Sequence, residues 1–577
     1  MRLKHKIWIN VAVAFLILLT ACKEEPCQTN QNVAVTGVTL NESTITLSIG
    51  NFYTLIATVL PDNATYKRVT WESSNTNVAE VDANGKLLAK SEGAADILVT
   101  TTDGKKQASC KCTVTIDDTS QLQIYPVPAG TPQDSKPIFT VTANYRPVGV
   151  YTENTAWGTK ANFAYVNMRD GYEVTFRIKA SINVNQVRVL PESLNITPQV
   201  SNGEISFTVS QTNMNITLVF DDNYMGNTLH LFTNPIDDNA PSENSSNLIY
   251  FGPGYHQLSG RYHVPSGKSV YIAPGAVIHG RMRLYELQNV RIYGSGVFMI
   301  STLPEGEWPD FMLDAINCKN VTVEGIILSS QREGNWNLSF GGSNNISIRN
   351  LKIVSARYAS TDGVNLISCC TAAITDCFIR AGDDCITFKG ANTQFPIEDI
   401  LVQNCVLWSE ANNAMVLGEG TEALYYKNIT FKDIDVLFSY DDRDHHGQLN
   451  ERGVMSIVCA HGTFFEDIIW ENVRVMRGER LICMTFEDDI WFGTWLGNQT
   501  TPGGIKNVVF KNIISKSPEK TAQNNEISLS GYVENGANLE KKIENILFDN
   551  VLVNGNKVTA DYSKLKVLGP VSGLEFR

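Results

Sequence analysis

The sequence predicts an all-β protein: a parallel β-helix preceded by two small β-sandwich domains. Three observations predict it. A motif of Asn or Asp, then Ile or Val, then any residue, then an apolar one, recurs at regular spacing in the second half of the chain. Short alternating apolar and polar runs, separated by Gly, Asn and Pro, fill the chain as far as Pro235. Asn, Thr, Ile, Val and Gly are frequent throughout, and helix formers do not dominate. At 577 residues the chain is too long for one ordinary core, so it holds several domains, a repeat array, or both.

Arg2, Lys4 and Lys6 precede a run from Ile7 to Leu19 that is apolar except for Asn10. This is a signal-peptide pattern, too short and isolated for a lasting membrane span. It ends Leu19-Thr20-Ala21-Cys22, which resembles the lipobox of bacterial lipoproteins. The resemblance implies that residues 1–21 are a signal, cut before Cys22, whose thiol then carries lipid. Lys23-Glu24-Glu25 is similar to the acidic signals that send some lipoproteins to the outer face of a Gram-negative cell. That implies a lipid-anchored outer-membrane protein at the cell surface, with a periplasm-facing anchor as the alternative. An ordinary cleaved signal with an incidental cysteine is the competing reading. The net charge of −13 argues against a nucleic-acid partner, which wants a basic face. It also makes a polyanionic substrate less natural, although simple solubility explains it equally well.

Residues 22–33 are polar and short of core residues, and read as a tether. Residues 34–117 form a compact β module, with runs such as Thr44–Ile49 and Ala95–Thr100. Its Trp71-Glu72-Ser73-Ser74-Asn75, Val78-Ala79-Glu80-Val81-Asp82, Gly85 and Gly93 resemble the bacterial immunoglobulin-like domain of group 2. That implies a spacer. Trp71 reads as a core residue of the sandwich, with sugar stacking as the alternative. Residues 118–135, with Pro126, Pro128, Gly130 and Pro132, read as a linker. Residues 136–235 alternate again, in Tyr172–Ile178 and Glu204–Val209, and form the second sandwich. Sandwiches of this kind precede the catalytic β-helix in dextranases and isopullulanases, to which this order of domains is similar.

Residues 236–577 are the β-helix, with the repeat running from about 248. Its apolar positions fall at Val321, Ile346, Ile374, Ile400, Ile429, Ile468, Val508 and Ile546. The first four steps between them span about 25–29 residues and the last three about 40. The copy at Ala373-Ile374-Thr375-Asp376 is imperfect. A unit of the shorter length suits one coil of two or three short strands. Asn fits its corners because it tolerates left-handed backbone angles. The longer late steps imply loops inserted on one side, able to wall a groove. Twelve cysteines in an exported chain suggest disulfides. Yet most lie in apolar runs, where Cys serves as a small hydrophobe, and none has zinc-site spacing.

Ser360-Thr361-Asp362-Gly363 and Gly382-Asp383-Asp384-Cys385 carry three carboxylates. Asp383 and Asp384 follow Asp362 at an interval slightly less than a coil, and coils stack about 4.8 Å apart. The three acids therefore meet on neighbouring strands of one face. Like charges this close raise at least one pKa and supply an acid beside a base, the pairing that glycoside hydrolysis requires. A regular strand sends adjacent residues to opposite faces, so Asp383 and Asp384 share a cleft only where the strand bends, which Gly382 permits. The bland alternative is a corner residue beside a solvated acid.

Thr361-Asp362-Gly363 and Gly382-Asp383-Asp384-Cys385-Ile386 resemble the catalytic motifs of polygalacturonases (glycoside hydrolase family 28) and of dextranases and isopullulanases (family 49). The resemblance covers about 248–577 and implies a right-handed β-helix that inverts the anomeric centre. It further implies Asp383 as general acid, with Asp362 and Asp384 holding and deprotonating the water. A carboxylate separation of about 6.5–9.5 Å favours inversion and one of about 5 Å counts against it. Two departures stand out. The family's Gly-His-Gly aligns with Gly418-Glu419-Gly420, and its basic Arg-Ile-Lys pair aligns with Gly453-Val454-Met455-Ser456-Ile457. Without those basic groups the site has little to offer galacturonate. A neutral, α-linked polysaccharide is the expected substrate.

Substrate-binding candidates are Lys389, Glu419, Trp336, Trp491 and Trp495. Lys389 loosely resembles a Lys that follows the acid pair in these families. Glu419 and Trp336 lie about one coil from the acids and read equally well as a corner residue and a packed one. Trp491 and Trp495 sit in what reads as a loop insertion, as sugar platforms or loop anchors. His461 is a further late-coil candidate. Asp441–His446 reads as a solvated loop sooner than as a metal site. No metal, no cofactor and a monomer are expected. The alternatives are a pectin hydrolase or β-helix lyase, and a non-catalytic surface glycan-binding protein.

Overall fold

The computed structural model describes residues 32–577, apart from 50, 116–118, 134–135, 156, 302–309, 331–334, 356–359, 392–393, 420–421, 441–451, 461, 488–502, 521–522 and 534–539. The regular structure of the described residues is strand throughout, apart from a single 3-10 turn at Glu192–Leu194, with no α-helix among them. No described helix is long and apolar enough to cross a membrane. The chain divides into two compact units, residues 1–116 and 117–577.

The first unit is a small sandwich. Its largest sheet sets Thr44–Ser48 parallel to Gln107–Thr115, which pairs with Gly93–Thr101 and through it with Val69–Ser73. Trp71 packs against the cluster of Val35, Val38, Val59 and Val99, so it serves the core. Cys110 and Cys112 are fully buried free thiols, as are most cysteines described in the rest of the chain.

In the second unit a sandwich and a long β-helix share one body. The sandwich has a six-stranded and a five-stranded sheet, closed over Phe139, Phe176, Ile216 and Leu231. Residues 118–135 are more than a linker. Leu122–Gln123 pairs with Asn167–Met168 and adds an edge strand, because the apolar Leu122 joins the sandwich core. The outer face of the six-stranded sheet carries Tyr151, Phe163, Tyr165 and Phe232, which pack onto Val277, Val297, Ile327, Phe378 and Trp408 of the β-helix. Burial of aromatic side chains at this density joins the two parts tightly.

The β-helix runs from Leu248–Phe251 to Val571–Phe576, and its described residues form 30 strands in one continuous, mostly parallel array. The corner positions behave as the Asn-rich motif predicts. Asn320, Asn345, Asp399, Asn428, Asp467, Asn507 and Asn545 all hold left-handed backbone angles, with φ between 54° and 59°. Neighbouring corners bond side chain to side chain, as from Asn345 to Asn320 at 2.6 Å and from Asn428 to Asp399 at 2.6 Å. One copy of the repeat sits two residues earlier than its sequence suggests. Ile346 pairs with Ala372, and Ala372 with Ile400, so Thr371 is the corner (φ 53°) and Ile374 the following core position. Inside the late coils Phe431, Trp470, Phe510, Phe548 and Phe576 stack ring on ring, with centroids 5.0–5.5 Å apart.

Candidate active site

The register of the coils builds the site. Val364–Ile367 pairs with Ile386–Lys389, which pairs with Met415–Gly418, which pairs with Met455–Ala460. Asp362 lies two residues before the first of these strands and Asp384 two before the second, so they stack one coil apart. The Gly363 N–H donates to the Asp384 carbonyl at 2.8 Å. Asp383 and Asp384 sit in the turn between Phe378–Ala381 and Ile386–Lys389, not within a strand. The turn, rather than a bend in a strand, is what frees both side chains to reach one cleft. Gly363 has no room for a side chain, since an added Cβ would lie 2.4 Å from the Cys385 carbonyl oxygen.

One oxygen from each of Asp362, Asp383 and Asp384 lies within 4.8 Å of the others. Asp362 and Asp384 are 3% and 2% exposed, whereas Asp383 is half-buried. Asp383 accepts N–H groups from Ser360 (2.9 Å) and Asp384 (3.0 Å), and the side-chain amide of Asn412. Asp384 accepts two at one oxygen, from the backbone and side-chain amides of Asn413, both at 2.9 Å. Lys389 reaches Asp362 and Glu419, each at 3.6 Å, and its ammonium lies 4.9 Å from the centre of the Trp336 ring.

The charge balance follows from burial. Burial pushes Asp362 up to about 7; Asp383 and Glu419 add to this, against the pull of Lys389 and a hydrogen bond from Asn365. Burial also raises Asp384 well above the carboxylate range, with Glu419, Asp383 and Asp362 contributing and Lys389 opposing. For Lys389, burial favours the neutral amine, but Asp362, Glu419, Asp384 and Asp383 outweigh it and hold the ammonium charged. For Glu419, burial is outweighed by Lys389, a hydrogen bond with Asp384, and Arg452, so the carboxyl stays ionised. The cluster thus holds protonated and ionised carboxyls side by side near neutral pH, which acid–base chemistry needs. The three aspartates are also close enough to share a cation, but the Lys389 ammonium already supplies positive charge there.

The sequence candidates divide. Asp362, Asp383, Asp384, Lys389 and Glu419 come together. Glu419 is 8% exposed, so it is no solvated corner, and it directly follows the strand Met415–Gly418. Trp336 stacks one coil before Asp362, as the pairing of Leu338 with Val364 requires. It is only 3% exposed, with Phe311 at its edge (5.4 Å) and Lys389 over its face, so it packs rather than offering a sugar platform. Cys22, Trp491, Trp495, His461 and Asp441–His446 lie outside the described residues.

Sequence reasoning missed three features. Asn412 and Asn413, not Gly418 and Glu419, stack above the acid pair; an Asn-Asn pair one coil further along was the available signal. The side-chain oxygen of Asn413 is engaged as well, accepting the Gly453 N–H (3.0 Å) and the Ser456 hydroxyl (2.7 Å). Arg452, one residue ahead of the segment that lacks the basic pair, is 3% exposed and acts on Glu419. The third is the buried Arg380–Glu410 pair beside the turn that carries Asp383 and Asp384.

Comparison with known proteins agrees with this construction. Residues 34–112 match the bacterial Ig-like domain (group 2), and residues 301–409 match glycosyl hydrolases family 28. An uncharacterised protein of Clostridium acetobutylicum is 40% identical over 110 residues, which is 19% of this chain and 11% of that protein. A probable polygalacturonase of Vitis vinifera is 30% identical over 115 residues, 19% of this chain and 23% of that one. The chain spans between 11% and 32% of the length of the first three curated relatives it matches. Among solved structures, Dex49A from Penicillium minioluteum shares the fold, with a TM-score of 0.57 and 14% identity over 78% of this chain and 96% of that one. The chain therefore carries a group 2 Ig-like match, a sandwich and a parallel β-helix that shares its fold with Dex49A, and the family 28 match spans all three aspartates.

Proposed function

We propose that the protein hydrolyses glycosidic bonds of a neutral, α-linked polysaccharide, in the manner of the dextranase group. The observation that carries this is the cluster of Asp362, Asp383 and Asp384 within 4.8 Å on one β-helix face, inside the family 28 match. Asp383 is the most exposed of the three, so a leaving oxygen meets it first, and it serves as the acid. The buried Asp362 and Asp384 hold the water. Lys389 is already engaged by Asp362 and Glu419, which leaves it little to offer an anionic sugar ring. Two arguments bear on stereochemistry and they oppose. The resemblance to families 28 and 49, and the burial of Asp362 and Asp384, favour water attack and inversion. The short oxygen gap lies nearer the roughly 5 Å of direct carboxylate attack than the roughly 6.5–9.5 Å of inverting pairs. We favour inversion, because a carboxylate 2–3% exposed is poorly placed to reach an anomeric carbon itself.

The test uses dextran, pullulan, galactan and polygalacturonate. Reducing sugar released from a neutral glucan by the parent, and not by Asp383→Asn, supports hydrolysis. An aryl glycoside with a good leaving group needs no acid, so Asp383→Asn regains turnover on it while Asp362→Asn does not. Products absorbing in the ultraviolet would instead mean elimination, and binding without products would mean a glycan-binding protein. The first anomer seen by proton NMR decides between inversion and retention. We further propose that Cys22 carries lipid and anchors the chain at the outer membrane, a reading that rests on the sequence motif. Palmitate labelling and membrane fractionation of Cys22→Ser test it, and an unlabelled parent chain would refute it.

A further inference from the structure

The turn Ser409–Asn413, one coil past the catalytic turn, cradles both acids. The Asn412 side-chain amide donates to one oxygen of Asp383, and Asn413 makes both bonds to Asp384. The Ser409 hydroxyl donates to the Asp383 carbonyl (2.9 Å) and accepts the Asn412 N–H (3.0 Å). The Glu410 N–H donates to the Ala381 carbonyl (3.0 Å). Glu410 lies in the middle of this cradle and is fully buried. Its carboxylate is held by Arg380, also fully buried, through Nε (2.8 Å) and Nη2.

Arg380 in turn is fixed from the sandwich. Its Nη1 donates to the Thr228 hydroxyl and to His230 Nε2 (2.9 Å). A guanidinium only donates, so Nε2 accepts and the His230 proton sits on Nδ1, which donates to the Thr217 hydroxyl at 2.9 Å. Burial and the neighbouring Arg380 hold the His230 pKa well below its ordinary value, so the ring stays neutral and able to accept. The ring is seated against Phe378 (4.9 Å), and the guanidinium lies over Trp408 (4.8 Å). A buried ion pair is a poor source of stability, since desolvation offsets its attraction, but its directed hydrogen bonds fix geometry.

We propose that the sandwich strand Thr228–Pro235 is a working part of the active site: through Arg380 and Glu410, its Thr228 and His230 set the turn that holds Asp383 and Asp384. These four are positioning residues, since they act on the aspartates through that turn. The inference rests on the reading of those aspartates as catalytic. It makes the sandwich a component of catalysis rather than a spacer.

The test uses the full chain with Thr228→Val and His230→Phe together, which keep bulk and remove both acceptors from Arg380. Expected on dextran is a fall in kcat of about tenfold or more, with KM changed less than about twofold. The pH profile of kcat shifts, and amide exchange rises in peptides covering 381–385 and 409–413. His230→Gln alone, which retains an acceptor, keeps most of kcat. Val141→Ala, a truncation in the sandwich core, is the control: it lowers Tm and leaves kcat, pH profile and exchange at those turns unchanged. The proposal is overturned if the double variant behaves like this control. Should the double variant not fold, Thr228→Val alone is read by the same criteria. Exchange needs no turnover, so a parent chain that releases no sugar would sink the glycosidase reading while the exchange data still judge the relay.

Discussion

Replacing the buried Asp362 carboxylate should make this protein more stable, and only above a definite pH. Asp362 is 3% exposed and its pKa rises from 3.8 to about 7, chiefly through burial. A pKa raised on folding means that the folded state keeps a proton the unfolded chain has released. Stability from this group is therefore complete below pH 3.8, declines as pH climbs, and is lost above about 7. Each pKa unit corresponds to about 1.36 kcal/mol, so a shift of about three units sets a ceiling of about 4 kcal/mol on the penalty at pH 8. Asn carries no charge at any pH and removes the penalty. Lys389 keeps Glu419 at 3.6 Å, so the substitution does not strand the ammonium. Calorimetry on Asp362→Asn and the parent at pH 4, 6 and 8 checks this, following the transition of residues 117–577. The variant should melt higher at pH 8, with the gain shrinking toward zero by pH 4, while turnover of polysaccharide is lost. An equal gain at every pH, or a lower melting temperature at pH 8, would refute the reasoning.

Three further outcomes follow from the same contacts. Lys389→Met leaves Asp362 and Glu419 buried without that cation and should cost about 3–5 kcal/mol in urea unfolding, more at pH 8 than at pH 5, where the carboxyls take up protons. Asn413→Ala removes one donor to Asp384 and orphans the Gly453 N–H; kcat should fall about tenfold or more with little change in KM, measured by reducing-sugar release. Trp470→Ala empties the middle of the ring stack between Phe431 and Phe510 and should cost about 3–5 kcal/mol, while folded enzyme keeps its kcat.

Several of these features could be read before any coordinates. Asn at left-handed corners marks the coils because few other side chains tolerate that angle, and the apolar residue beside it must point inward. Applied from Val321 to Ile546, that local rule located the middle and late coils but left unmarked the early rungs at Leu248–Phe251, Ser269–Ile272 and Gln288–Gly294 and the last at Val571–Phe576. It slipped by two residues at Ala372, where Thr371 holds the corner angle without the Asn signature, forced there by the coils on either side. The three aspartates were legible for a similar reason, because an interval close to one coil converts sequence distance directly into contact. Glu419 was read as lying about one coil past the acid pair, a place that the register gives to Asn412 and Asn413.

The sequence by itself determined the β-helix, the Ig-like module and the carboxylate cluster, because each depends on periodic local choices that repeat along the chain. Only the tertiary structure decided what surrounds the cluster. Asn413, Arg452, Arg380 and Glu410 act through partners up to 152 residues away, as Arg380 does with Thr228, and no interval in the chain encodes such a pairing. The charge state of the aspartates was decided there too. Burial is the largest cause of the shifts at Asp362 and Asp384, and burial is a property of the whole fold rather than of neighbours in sequence.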